Sequence, residues 1–356
     1  NPPYLGYARQ NKDQKDDMKS VFSNIKSYKK LDYISCWFIK GANFITKTNN
    51  KLAFVTTNSI TQGEQVAILW PNIFNKNIEI GFAHTSFKWE NNAKGNAGVS
   101  VVIIGLQNNN STSEKLIYTE VTRQIAKNIN PYLVEGRNIY VDAKKSSISD
   151  LPSMIKGCSP GDNGNLLLTA EERNKLLDVS QKASKFIKKY IGAREFMKGI
   201  DRYCIYVEDA DVEEANTIPE LKNRFEKVKQ FRLNSKKVAT QKKAETPHHF
   251  DEDKYQALES IFIPQTGSER REYLPLGYFN KDYVISNAAR IVYNPNVWLF
   301  GILSSKMHMI WVRAIAGRLK MDMQYSNTLC YNTFPFPDIS KVKKANIEEN
   351  VFAVLE

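Results

Sequence analysis

Apolar positions in the first hundred residues fall into blocks whose spacing switches between helical and extended. In SYKKLDYISCWFIKGANFIT, residues 27–46, Leu31, Ile34, Cys36, Trp37, Phe38 and Ile39 make a broad apolar face at helical spacing, which predicts a buried amphipathic helix. The run Leu52–Val55 in LAFVTTNSI is short and wholly apolar, the pattern of a fully buried parallel strand. GEQVAILWPNIF predicts a second helix, opened by Gly63 and stopped near Pro71. IEIGFAHTSFKW and VSVVIIGL read as two strands separated by the polar loop ENNAKGNAG. Helix, strand, helix and two successive strands make an α/β pattern that ends in an antiparallel pair. The polar stretch QNNNSTSEK, residues 107–115, suits a loop or domain junction, so domains over 1–110 and 111–356 are expected.

Past that stretch the pattern becomes one of short mixed strands and helices, an α+β texture. Its clearest helix opens at Thr169-Ala170-Glu171-Glu172, a capping box, and is predicted to run through KLLDVSQKASKFIKKY. REYLPLGYF is a strand candidate, the end SNTLCYNTFPFP is rich in aromatic residues, and no internal repeat is visible.

Charge sharpens this picture. The net charge is +12, with 13 basic against 7 acidic residues in 1–110 and 37 against 31 in the remainder. Both parts can therefore face a polyanion, although a solubilising surface explains the same excess. Cys36, Cys158, Cys204 and Cys330 show no paired or CxxC spacing, which argues against a zinc site or a disulfide framework and for reduced thiols in the cytoplasm. No apolar run approaches the roughly 18 residues of a membrane span, and no basic-then-apolar targeting pattern is present. Opening on Asn without Met, the chain is expected to have sequence upstream.

The opening NPPY carries the sharpest chemistry. An exocyclic aromatic amine is a poor nucleophile, because its lone pair is delocalised until acceptors hold both hydrogens. The Asn1 side-chain oxygen and the Pro2 carbonyl can be those acceptors, and consecutive prolines place no N–H in competition and stiffen the turn. Tyr4 can then stack on a base swung out of a duplex. A plain turn is the alternative, since Asn-Pro and Pro-Pro are turn formers.

From NPPY onward, the chain resembles the amino-methyltransferases of the N6-adenine type, and among them the MmeI-like (Type IIL, single-chain) restriction-modification enzymes. NPPYLG is similar to the catalytic loop, FVTTNSITQGEQVAILWPNIF to the strand and helix after it, and IEIGFAHTSFKWENNAKGNAGVSVVIIGL to a later motif that offers a second aromatic ring. MIKGCSPGDNGNLLLTAEE, GIDRYCIYVED, SERREYLPLGYF and SSKMHMIWVRAIAGRLKMDMQYSNTLCYNTFPFP resemble the target-recognition region in order and spacing. The resemblance implies a partial class I (Rossmann-like) methyltransferase sheet followed by a mixed α+β target-recognition domain. It further implies S-adenosylmethionine as cofactor, double-stranded DNA as partner, and a bacterial cytoplasmic setting. Asn1, Pro2 and Tyr4 would be the catalytic trio. Phe87 would be the second stacking ring, with Trp89 the alternative, because on a strand the two share one face; either ring can instead be core packing. The Gly-containing turn and acidic residue that build most of the cofactor pocket, and the nuclease, are expected upstream in the same polypeptide. Alone, the present piece is expected to bind cofactor poorly and neither methylate nor cut.

For DNA binding, residues 222–243 hold nine basic residues and one acidic. Arg224, Lys227, Arg232, Lys236 and Lys237 are the phosphate-contact candidates, and a solvated helix face is the alternative. On a strand over SERREYLPLGYF, Glu269 and Arg271 share one face and Arg270 the other, a pattern suited to base edges or equally to a surface ion pair. Arg313 and Arg318 can reach phosphate, while Trp311 reads as core. Thr328, Tyr331, Asn332 and Phe334 either line a DNA cleft or pack between domains. HHFDED, with His248, His249, Asp251 and Asp253, is expected to be a loop without metal, because adjacent histidines project apart and no further cluster joins them. Two rivals remain: a non-catalytic DNA-recognition module, and a protein-glutamine N-methyltransferase, whose class lacks a basic C-terminal region of this size.

Overall fold

In the computed structural model, which describes residues 2–89, 100–319 and 321–355, the chain divides into two units. One unit comprises Asn1–Ile148, Ile310–Gln324 and Thr328–Pro335; the other comprises Ser149–Met309, Tyr325–Asn327 and Phe336–Glu356.

The first unit runs α1 (Lys12–Val21), α2 (Ser35–Ile45), β1 (Leu52–Thr57), α3 (Gln65–Leu69), α4 (Pro71–Phe74), β2 (Ile78–Lys88), β3 (Ser100–Asn108), β4 (Lys115–Tyr118) and β5 (Arg123–Ala126). Its sheet has the order β1-β3-β2-β4-β5. The expected antiparallel pair is present as β2 and β3, while the loop ENNAKGNAG falls outside the described residues. β4 pairs parallel to β2, so strands from both sides of residue 110 share this sheet. β1 departs from expectation. It pairs antiparallel with β3 and only Thr56 of its six residues is buried, so an apolar run here marks one face packed on helices and not a doubly covered parallel strand.

α2 begins eight residues later than its apolar spacing suggests. Ser27 sits in the left-handed region at φ 63° and Leu31 is extended, which delays the helix; Leu31 and Ile34 still reach the core beside Phe38, Ile39, Ala42 and Ile45. Pro71 does not end a helix so much as start one. Trp70 keeps helical dihedrals, and Pro71 takes the first position of α4, where its missing N–H costs nothing. The buried Trp70 indole donates to Ile60 O at 2.7 Å, fixing the α3–α4 corner under the sheet. The segment from residue 310 is stitched into this unit by Gly63 N–H donating to Ile315 O at 3.1 Å, with Gly63 itself at φ +61°.

The second unit holds two four-stranded sheets. In one, Gly277–Phe279, Ser260–Pro264, Ala289–Tyr293 and Met154–Lys156 pair antiparallel in that order. In the other the order is Tyr283–Ile285, Ile187–Ile191, Arg202–Ile205 and Leu167–Thr169, with a parallel first pairing. The predicted capping box is there: Thr169 Oγ1 accepts from Glu172 N–H, and a Glu172 oxygen accepts from Thr169 N–H. The helix it opens stops at Val179, however; Gln181–Phe186 forms a 3-10 helix and IKKY enters the strand Ile187–Ile191, which pairs with Arg202–Ile205, while Phe186 and Tyr190 are buried. SERREYLPLGYF is likewise mostly turn and coil, with strand only over Gly277–Phe279. Near its C-terminal end Lys341–Leu355 packs on Val297–Leu303, where Gly301 lets the helices close: a Cβ there would meet Ile347 at 2.5 Å.

Candidate functional site

Asn1 lies outside the described residues. Pro2 and Tyr4 are half-buried, and Tyr4 packs on the core of the first unit. What fixes this segment is the next residue pair. Leu5 O accepts from Tyr33 N–H at 2.9 Å and from Gln10 Nε2 at 2.9 Å, and Gly6 bridges to Asp32. The Asp32 carboxylate accepts the Ser59 hydroxyl, and Asp32 N–H donates to Gln65 Oε1 at 3.1 Å. Ser59 sits on the turn that leaves the C-terminal end of β1 and bonds Thr57 Oγ1 at 2.8 Å. The proline segment is thereby tied to the end of β1. Beside it, Tyr33 O–H donates to Asp17, a hydrogen bond that with burial pushes the Tyr33 hydroxyl up to about 12.

Phe87 is brought to the same strand end. Asn58, buried just past β1, donates from Nδ2 to Ser86 Oγ at 3.0 Å, one residue before Phe87. Phe87 is half-buried after an irregularity in β2, with its ring 6.4 Å from His84, which stacks on Tyr118 at 4.6 Å. Trp89 lies just past β2, which ends at Lys88, so strand alternation does not relate it to Phe87. Asp32, Asn58 and Ser59 are absent from the residues that the sequence patterns select; the polar cluster TTNSIT directly after an apolar strand is the signal that points to the last two.

The basic candidates separate into two groups. Lys227, Lys236 and Lys237 are exposed. Arg224 instead donates to Glu220, Glu172 and Asn165 O, at 2.9, 3.2 and 3.1 Å. Arg232 is fully buried and donates to the carbonyls of Pro160, Gly161, Lys243, Thr246 and His249. A guanidinium has five N–H donors, so none is left for phosphate and Arg232 is an internal bolt. The sequence does carry a signal for this: Leu221, Phe225 and Val228 are the buried stripe of the Pro219–Leu233 helix, and Arg232 is its next position.

Glu269, Arg270 and Arg271 do not sort onto strand faces, because no strand forms there; Arg270 N–H bonds Ser268 Oγ and Arg271 N–H bonds Ser268 O in a turn. Both arginine side chains are exposed. Arg313 is exposed on its helix, whereas Arg318 donates to Met321 O and Arg313 O at 3.3 Å each. Tyr331, Asn332 and Phe334 are buried within the first unit, where Asn332 Nδ2 donates to Lys144 O at 2.8 Å, so packing accounts for them. The two adjacent histidines do not diverge: His248 Nε2 and His249 Nε2 both meet Asp209 Oδ1, at 2.9 and 3.0 Å. The sequence offers no local sign of this, since Asp209 is 39 residues away from His248.

Comparison with known proteins adds two domain assignments. Residues 1–119 match the family described as MmeI, DNA-methyltransferase domain, and residues 135–338 match MmeI, target recognition domain. DNA methyltransferase A of Bacillus subtilis (strain 168) is 44% identical over all 356 residues. A solved structure of the Type IIL restriction-modification enzyme MmeI in complex with DNA superposes with a TM-score of 0.92 at 39% identity, over 99% of this chain. The chain spans 40% of the first relative and 48% of the second.

Proposed function

Because the chain belongs to the MmeI family, we propose that it is the catalytic-loop and target-recognition portion of a DNA methyltransferase that modifies adenine N6 in duplex DNA. The observation that carries this reading is the anchoring of Leu5 and Gly6, directly after NPPY, at the end of β1 alongside the Ser86–Phe87 segment. Leu5 and Gly6 are fixed by Tyr33, Gln10 and Asp32, which supports a role for the Pro2 carbonyl, with the Asn1 amide proposed as the second acceptor. Fixed acceptors help the reaction because they need no reorganisation when the amine turns tetrahedral. Tyr4 holds the flipped base by its face, and Phe87 is the second ring. The proposed cofactor, S-adenosylmethionine, supplies an electrophilic methyl group, while Asn1, Pro2, Tyr4 and Phe87 act on the base that receives it.

The chain's net charge of +12 fits DNA as partner, and a C-terminal region with 37 basic against 31 acidic residues favours this over protein-glutamine methylation. The four cysteines are buried and form no disulfide with one another, which suits a reducing bacterial cytoplasm. Among the described residues no helix is long and apolar enough to cross a membrane.

The test is Asn1→Ala in the protein at its native length. Methylation of duplex DNA, read as N6-methyladenine by nucleoside mass spectrometry, is expected to fall about 100-fold or more, the scale of losing one preorganised partner of the reacting group. DNA binding should be retained. Unchanged methylation would overturn the assignment.

A further inference from the structure

We propose that Asp209, His248 and His249 form a binding site for a divalent transition-metal ion of the zinc, cobalt or nickel kind on the second unit, apart from the methyl-transfer residues. One oxygen, Asp209 Oδ1, faces both imidazole Nε2 atoms at 2.9 and 3.0 Å, and the three ligand atoms all lie within 4.8 Å of one another. Ligands held about 2.0–2.2 Å from a common ion stand about 3.0 Å apart at right angles and about 3.4 Å apart at tetrahedral angles. An ion enters between these three atoms once the two hydrogen bonds to Asp209 open by a few tenths of an ångström.

The turn that carries the histidines is built, not incidental. Arg232 donates to Thr246 O on one side of the pair at 3.0 Å and to His249 O at 2.7 Å. His249 N–H closes the turn onto Thr246 O at 3.1 Å, and the next residue, Phe250, is buried. His248 is only 6% exposed, with its ring edge-on to Phe225 at 6.3 Å. The opposing Asp209 opens a short turn whose neighbour Asp211 is ion-paired with Lys185 at 2.8 Å. Such outer contacts orient metal ligands and decide how well they hold an ion.

Donor chemistry selects the ion class. Two imidazoles and one carboxylate suit zinc, cobalt, nickel or copper(II), whereas calcium and magnesium prefer oxygen throughout. Binding requires a free lone pair on each Nε2, so any proton held there moves to Nδ1 or leaves to solvent. On the outer side, Asp209 and His249 are 77% and 34% exposed, leaving room for water to complete the coordination shell. The ion would clip the Asp209–Asp211 turn to the Thr246–Phe250 turn, joining segments that are otherwise distant in sequence.

The experiment uses tag-free protein at native length, stripped with chelator. Zinc is titrated by calorimetry, cobalt(II) by its visible absorption, and thermal melting is followed with and without zinc. One equivalent should bind to this site, raising the melting temperature, and cobalt should show imidazole-shifted d–d bands. Asp209→Asn and His249→Ala, both at side chains open to solvent, should fold as wild type yet weaken binding about tenfold or more and abolish the melting shift. Variants that bind zinc with wild-type affinity and stoichiometry would overturn the proposal, as would no zinc uptake by the wild-type protein.

Discussion

Arg232 and His308 show how single buried groups constrain the second unit. The Arg232 guanidinium collects five backbone carbonyls from segments 11 to 72 residues away in sequence, so it does for the 159–162 and 243–249 loops what a core side chain does for a sheet. Arg232→Met keeps the volume but leaves those carbonyls without donors, and the expected loss is about 3 kcal/mol or more of unfolding free energy, measured by urea denaturation. His308 acts through solvation. It is fully buried beside Tyr325, whose hydroxyl lies 3.0 Å from Nε2, and burial depresses its pKa from the usual 6.5 to about 3. Between those values the unfolded chain takes up a proton that the folded one refuses. Stability contributed by neutral His308 is thus fully present above pH 6.5 and is lost as pH falls towards 3, by up to about 1.4 kcal/mol per pH unit. His308→Gln should flatten that part of the pH profile in denaturant melts between pH 7 and 4 relative to wild type; an unchanged slope would show that His308 is not the group responsible.

At the scale of elements, legibility in the sequence depends on whether the deciding contacts are local. The Thr169 cap is legible because both of its hydrogen bonds span three residues, and it makes a local forecast: Thr169→Ala should cost about 1 kcal/mol in a thermal or urea melt. The β2–β3 pair is legible from two adjacent apolar runs. The far end of the same capped helix is not. KASKFIKKY has helical character, but Arg202–Ile205 and Tyr283–Ile285 offer strand partners that local spacing cannot reveal, and Tyr190 is buried between them. β1 illustrates the opposite confusion, since a continuous apolar run is the same whether a strand is parallel and doubly covered or antiparallel and half-buried. In SERREYLPLGYF the residues Ser268 to Leu276 turn instead of extending, and Ser268 accepts both the Arg270 and Arg271 N–H groups.

For the whole molecule, the same distinction separates the legible part of the candidate site from the rest. The proposed NPPY chemistry would draw on contiguous residues, whereas Asp32, Ser59, the Arg232 carbonyls and Asp209 act across gaps that no single stretch records. Charge is legible as an excess but not as a surface. The basic run from Lys222 to Lys243 contains one arginine turned wholly inward, another held by two glutamates, and lysines at 227, 236 and 237 that face solvent. If duplex DNA lies along this surface, those three lysines carry the phosphate contacts and Arg224 and Arg232 carry none. Each phosphate neutralised releases counterions, so the dependence of log Kd on log salt should weaken by about 1 for each contacting lysine removed. Lys227→Ala, Lys236→Ala and Lys237→Ala, combined in the protein at native length, should therefore lower DNA affinity at constant salt and flatten the salt dependence by up to about 3, with unfolding free energy little changed. A salt slope identical to wild type would show that these three lysines make no phosphate contact, leaving the exposed Lys222, Lys229 and Lys242 as the basic side chains of the run still able to do so.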